Sequence, residues 1–262
     1  MRMVIKFAGA LFEQPLEPLA RQVAELARDG HELLVVHGGG RIFTCTLERL
    51  GIASRFVDGL RVTDRETRDA AVMVFGGALN KQLSAAISAA GYPAVGISAA
   101  DASCFLAKPL SHPAGLGFVG KLTGANVEFF ERVWKAGLVP VAACLGLGPD
   151  GEIYNINADQ MAAAAAEFLN GERLIYLTDV PGVLDGKEVI EALDFGEIEE
   201  LVRRKKVSGG MVLKLEACQR ALRSGVQEVQ IVGGSVPGNL LAAAAGEATG
   251  TRVVMEVAVG RS

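Results

Sequence analysis

The chain reads as an α/β protein with a mostly parallel central sheet covered by helices on both faces. Three observations predict this. Short, almost wholly apolar runs alternate with longer amphipathic stretches, as β-α-β units do. Glycine-rich turns follow several of the apolar runs, and half of the 262 residues are hydrophobic. That is enough to bury one large core, or two lobes sharing a sheet.

Taken in order, Met3, Val4, Ile5 and Phe7 predict a buried strand over 3–7. Residues 15–29 carry Leu16, Leu19, Val23, Leu26 and Ala27 near helical spacing, with Gly30 as a C-terminal cap. A strand over 32–36 precedes a helix over 41–50. A long helix spans 65–90 and is closed by Gly91, and a strand occupies 93–97. Residues 100–122 break this rhythm with Gly, Pro and Ser, and predict a small antiparallel hairpin with arms at 104–107 and 118–121. Alternation then returns: helix 125–136, strand 139–144, helix 158–169, strand 174–178. Helices 195–204 and 211–224, strand 228–232, helix 239–246 and strand 252–257 complete the chain. A division near residue 146 gives an N-terminal lobe, 1–145, and a C-terminal lobe, 146–262, on one continuous sheet, because no linker composition marks the joint.

Bulk composition excludes several classes. A net charge of −4 with both signs interspersed lacks the basic stripe of a nucleic-acid binder. No continuous apolar run approaches the roughly 18–20 residues that span a bilayer, and the opening strand is too short for a signal-peptide core. Cys45, Cys104, Cys144 and Cys218 are scattered without a C-x-x-C pair, which suits a reduced cytoplasmic protein. His31, His37 and His112 have no metal-ligand spacing.

The motifs point to an anion. His37-Gly38-Gly39-Gly40 lies between a strand and a helix, where backbone N–H groups and the helix N-terminus favour negative charge. A lipase oxyanion loop also uses this run, but the chain has no G-x-S-x-G elbow. Two G-x-G-x-x-G matches, at 115–120 and 146–151, lie in the insert and in a turn, away from a strand-turn-helix junction. The Walker pattern is absent. Lys6 closes a buried strand, an unusual place for an unpartnered lysine. Lys214 follows the Gly209-Gly210 pair at helical spacing. Asn157 suits an N-cap and Asp159 the first helical turn, which leaves Asn155 free to face a ligand. Residues 177–184 follow a strand, where ligands bind in open parallel sheets. Arg61 offers a fork for a carboxylate if it points inward.

Together these segments, with Asp58-Gly59-Leu60-Arg61-Val62-Thr63-Asp64, Asn80-Lys81 and Gly250-Thr251-Arg252, resemble the amino acid kinase family nearly end to end. The resemblance is greatest to members acting on N-acetyl-L-glutamate. It implies an open three-layer αβα sandwich whose N-terminal lobe binds the acyl substrate and dimerises, and whose C-terminal lobe binds ATP. It implies that Lys6 and Lys214 stabilise a transferring phosphoryl group while Asp159 orients them. Gly9, Gly38 and Gly39 would present N–H groups, Arg61 would grip the substrate α-carboxylate, and Asn155 would contact the acetylamino group. Asp179, Val180, Pro181, Gly182, Val183 and Leu184, with Lys206, Val207 and Ser208, would line the ATP pocket. The implied reaction is ATP-dependent phosphorylation of the N-acetyl-L-glutamate side-chain carboxylate in arginine biosynthesis, with Mg2+ carried by ATP.

Two departures accompany the resemblance. Ala8 stands where the family usually has a second glycine after the first lysine, and the start close to the first strand implies a dimer without the N-terminal helix of arginine-inhibited hexamers. The helix over 65–90 would form the dimer interface. A kinase for an aminoadipate derivative on a carrier protein, and a non-catalytic sensor on the same fold, are the alternative readings.

Overall fold

The computed structural model describes residues 1–256. It opens with strand β1 (Arg2–Phe7), a 3-10 turn (Gly9–Glu13), helix α1 (Glu17–Arg28) and β2 (Glu32–His37). Helix α2 (Gly40–Arg49) and a hairpin, β3 (Phe56–Val57) and β4 (Leu60–Arg61), lead to one long helix. That helix joins α3 (Arg65–Ala71), a π-wound stretch (Val72–Leu79) and α4 (Asn80–Ala89). Next come β5 (Ala94–Ile97), β6 (Phe105–Pro109), β7 (Val119–Ala125), α5 (Val127–Lys135) and β8 (Val139–Ala143). Strands β9 (Leu145–Leu147) and β10 (Ile153–Ile156), helix α6 (Ala158–Phe168) and strand β11 (Arg173–Thr178) follow. The remainder comprises β12 (Leu184–Asp185), β13 (Glu188–Val189), β14 (Ala192–Leu193), α7 (Phe195–Arg203), α8 (Gly210–Arg223), β15 (Glu228–Gly233), α9 (Asn239–Ala245) and β16 (Thr251–Val253).

Eight strands form one sheet in the order β14-β16-β15-β11-β1-β2-β8-β5. Every neighbouring pair is parallel except β15 and β16. The parallel strands are buried on both faces, which explains their near-continuous apolar sequence. Helices α6 and α8 pack together over one face, while α1 packs against α4 and α9. The chain passes from β1 to β2 on one side, and its later half adds β11 and β15 on the other. The carboxyl ends of β1, β2 and β11 therefore surround a topological switch point, where a crevice opens. The sheet runs unbroken past residue 146.

Local chemistry fixes the helices that carry site residues. The side chain of Asn157 accepts from the backbone N–H groups of Asp159 and Gln160 and starts α6 at its predicted position. Met161 to Ala166 are all buried. Their small side chains let α6 lie close to the sheet, which brings its first turn down onto β1. Asp64 caps α3 in the same way, and Asp194 with Glu197 forms a capping box on α7.

The structure departs from the sequence reading in four places. The insert is an antiparallel hairpin as expected, but its second arm runs to Ala125, and β9 and β10 close it into a small four-stranded barrel. The long helix changes to π winding over Val72–Leu79, which hydrophobic periodicity does not reveal. The β3–β4 and β12–β13 hairpins and β14 are too short to leave a period-2 pattern. The last strand is Thr251–Val253 and runs antiparallel to β15; Val257, the predicted end, lies outside the described residues. The long helix is apolar and long enough by composition to cross a membrane, yet half of its most apolar stretch is buried inside this fold.

Candidate active site

Lys6 and Lys214, 208 positions apart in sequence, meet on one oxygen. Lys6 Nζ lies 2.8 Å and Lys214 Nζ 2.7 Å from Asp159 Oδ1. All three side chains are buried. Lys6 reaches this point because it faces the same side of the sheet as Tyr176, its register partner on β11. The Tyr176 hydroxyl donates to the Asp159 carbonyl at 3.1 Å, and its ring lies 4.9 Å beneath Lys214 Nζ. Tyr176 is therefore a floor for the cluster that the motifs missed, because the pairing that sets it beside Lys6 is not written in local sequence.

Burial alone would raise the Asp159 carboxyl pKa, but the two ammonium groups outweigh it and hold the group at about 2. Burial, then the neighbouring Lys6 charge, pulls Lys214 below the usual lysine range against the opposing pull of Asp159. Two cations share one anion, so the cluster carries an uncompensated positive charge in a desolvated place. At an effective dielectric constant near 20, a further anion about 4 Å away would gain roughly 4 kcal/mol from each unit charge.

The depressed carboxyl has a consequence for stability. A group with a lowered folded pKa stabilises fully above its unfolded value and loses that contribution as pH falls through the folded value. For Asp159 that window runs from its ordinary value of 3.8 down to about 2. Urea midpoints of the wild type should fall through this window, and the fall should be shallower in Asp159→Asn. Parallel pH profiles would show that the carboxylate is not held by the lysines.

Two glycine turns close over the cluster. Gly9, Gly38, Gly39 and Gly40 line a cavity of about 210 Å³ together with Lys6, Asp159 and Arg61. A β-carbon on Gly9 would fall 2.4 Å from the Gly40 nitrogen, so the turns after β1 and β2 touch backbone to backbone. A β-carbon on Gly39 would fall 2.1 Å from Phe75 Cε1. Ala8 sits in extended backbone, φ −69° and ψ 143°, where its methyl group causes no strain. The turn after β2 is braced from below. Buried Asn80 donates to the Val141 carbonyl at 2.8 Å and lies 3.2 Å from His37 Nε2. Desolvation holds His37 neutral with its pKa lowered to about 4, and its Nδ1 faces the Gly38 carbonyl at 3.2 Å. Cys144 also lines the cavity; burial pushes its thiol up to about 12, so it stays protonated.

The opposite end of the cavity belongs to Arg61. Its guanidinium donates to Ser54 Oγ at 2.5 Å and Thr44 Oγ1 at 2.7 Å, and stacks 4.5 Å over Phe56 and 4.9 Å over Phe43. Among the described residues no carboxylate pairs with it, and burial lowers its pKa. A held, half-buried guanidinium with no paired carboxylate has the chemistry to receive one. Thr44, Phe43 and Ser54 were not legible as site residues, although Phe43 and Thr44 lie one helical turn beyond the glycines. Asn155 also lines the cavity and donates to Thr63 Oγ1 at 3.1 Å.

The remaining predicted residues form a separate rim, part exposed and part buried. Asp179, Val180, Pro181, Gly182, Val183 and Leu184 follow β11, with Gly182 and Val183 buried. The Val183 N–H donates to Thr251 Oγ1 at 2.8 Å, which pins this loop to the sheet edge. Lys206 pairs with Asp185 at 2.5 Å, so 206–208 lie beside the β12 end of the same loop. Ser208 leads through Gly209, φ 55°, into α8 and Lys214. None of the rim residues lines the Lys6 cavity.

Fold and cavity together define an α/β protein with a cationic, glycine-lined cavity at the carboxyl edge of its sheet. Residues 1–233 match the amino acid kinase family, and the chain belongs to that family. It is 48% identical over 235 residues to the acetylglutamate kinase of Koribacter versatilis, covering 88% of this chain and 90% of that one. It is 42% identical to the acetylglutamate kinase of Solibacter usitatus, covering 97% of this chain and 99% of its relative. A Streptococcus mutans protein of solved structure superposes with TM-score 0.86 at 26% identity, covering 97% and 99% of the two chains. The N-acetylglutamate synthase of Neisseria gonorrhoeae, solved with coenzyme A and N-acetyl-glutamate, gives TM-score 0.86 at 25% identity, over 99% of this chain and 60% of that one.

Proposed function

We propose that this chain uses ATP to phosphorylate the side-chain carboxylate of N-acetyl-L-glutamate, giving N-acetyl-L-glutamyl 5-phosphate and ADP in arginine biosynthesis. The observation that carries the reading is the pair of buried lysines on Asp159 at one end of a cavity whose other end is an unpaired arginine. The acetylglutamate kinases among its relatives fix the substrate class. The acceptor carboxylate is already ionised, so no general base is needed. The barrier lies in bringing that carboxylate toward an anionic phosphoryl group. Lys6 and Lys214 offset the repulsion, Asp159 holds them in place, and the N–H groups of Gly9, Gly38 and Gly39 take up charge on the oxygens.

Arg61 binds the α-carboxylate and Asn155 the acetylamino group. The rim at 179–184 and 206–208 binds the nucleotide. Magnesium arrives as part of MgATP; among the described residues Asp159 is the one carboxylate lining the cavity, and two lysines already hold it. In this scheme residues 1–145 form the acyl-substrate lobe, to which Asn155 reaches across from the ATP-binding lobe 146–262, within a cytoplasmic enzyme. A homodimer forms through the long helix, on which Met73 is 60% exposed.

Hydroxylamine trapping of the acyl phosphate, with N-acetyl-L-glutamate, N-acetyl-L-aspartate and N-acetyl-L-2-aminoadipate as acceptors, tests this reading. Product with the glutamate derivative supports it. Product confined to the aminoadipate derivative favours the neighbouring kinase activity, and tight ATP binding with no product favours a sensor. In the same assay Arg61→Lys keeps the charge but loses the fork. It should raise the KM for the acyl substrate about 10- to 100-fold, the equivalent of one charge-assisted hydrogen bond, and leave the KM for ATP near the wild-type value. Equal rises in both would separate Arg61 from the acyl group.

A further inference from the structure

The cavity has two cationic ends, and one packed wall connects them. Arg61 stacks over Phe43, the Phe43 ring lies 4.6 Å from Phe75 in an edge-to-face contact, and Phe75 presses on Gly39. The wall therefore runs from the guanidinium to the glycine turn beside Lys6. Phe75 is its movable member by chemistry and its fixed member by position. The ring is 4% exposed and belongs to the π-wound stretch Val72–Leu79, whose i→i+5 winding redirects side chains relative to an ordinary helix. Behind Phe75 this stretch packs against β8 and β9, which backs the ring from the sheet side.

We propose that Phe75 sets the length of acceptor that this site accepts. The inference rests on the reading that Arg61 seats one carboxylate and the Lys6 end receives the other. The ring fixes the space between the two seats. An acceptor one methylene longer must either force Phe75 into Phe43 and the helix behind it, or carry its reacting carboxylate away from the phosphoryl group. A single methylene in such a pocket discriminates by roughly 10- to 200-fold in kcat/KM. Phe43 and Phe75 are apolar, so their part in the selection is steric.

The test measures kcat/KM for N-acetyl-L-glutamate and N-acetyl-L-2-aminoadipate in the wild type, Phe75→Leu and Phe75→Met. The wild type should prefer the shorter acceptor. Phe75→Leu should narrow that preference about tenfold or more, mainly through a gain on the longer acceptor. Phe75→Met keeps most of the volume on a flexible stem and should narrow it in the same direction by less; it carries the test alone if the leucine variant does not fold. A ratio unchanged within about twofold in folded variants, with a wild type active on the glutamate derivative, overturns the Phe75 assignment and leaves the functional reading intact. A wild type inactive on N-acetyl-L-glutamate overturns the functional reading and this inference with it.

Discussion

Replacing Lys214 by alanine should lower kcat about 100- to 1,000-fold, the usual effect of deleting one preorganised donor to developing charge. The nitrogen of Lys214 is 2.7 Å from Asp159 and almost wholly buried, so neither water nor another side chain replaces it. Residues 179–184 and 206–208, proposed above to bind the nucleotide, do not line the Lys6 cavity. Lys214→Ala leaves those side chains in place, so the Kd for ATP should move much less than kcat. Lys6→Ala should behave alike, since the two ammonium groups occupy equivalent positions about one oxygen. Steady-state kinetics with ATP binding by calorimetry separates the outcomes. Equal losses in turnover and ATP affinity would mean that Lys214 binds the ground state and does nothing special for the transferring group.

Asp159→Asn should produce the largest loss of stability in the site. The substitution keeps size and shape but removes the one negative charge between two buried ammonium groups. Removing one partner of a buried ion cluster typically costs about 3–5 kcal/mol, because the remaining charge is left uncompensated. Here two like charges are left facing one another. Urea unfolding should register this loss. An Asn variant as stable as the wild type without nucleotide would contradict the electrostatic picture of the cluster.

Much of this site was legible because its chemistry is carried by local sequence. A lysine closing a buried strand, three glycines between strand and helix, and an Asn-capped helix with Asp159 in its first turn each constrain a backbone position. The topology then brings them to one edge: parallel β1, β2 and β11 share their carboxyl ends, so turns distant in sequence converge. What stayed hidden depends on packing. The π winding that aims Phe75 leaves no periodic trace, and Thr44 and Ser54 hold Arg61 only because α2 and the β3–β4 hairpin happen to meet. The barrel of β6, β7, β9 and β10 needs strands from both sides of α5, a long-range pairing that a run of local patterns does not encode.

A crystal structure of the complex with ADP, magnesium, aluminium fluoride and N-acetyl-L-glutamate tests the central claim most directly. The planar fluoride should sit between the acceptor carboxylate and ADP, within hydrogen-bonding reach of both Lys6 Nζ and Lys214 Nζ, with Arg61 on the far carboxylate. A fluoride bound away from these two nitrogens, or an acceptor lying outside the cavity between Arg61 and Lys6, would contradict the account.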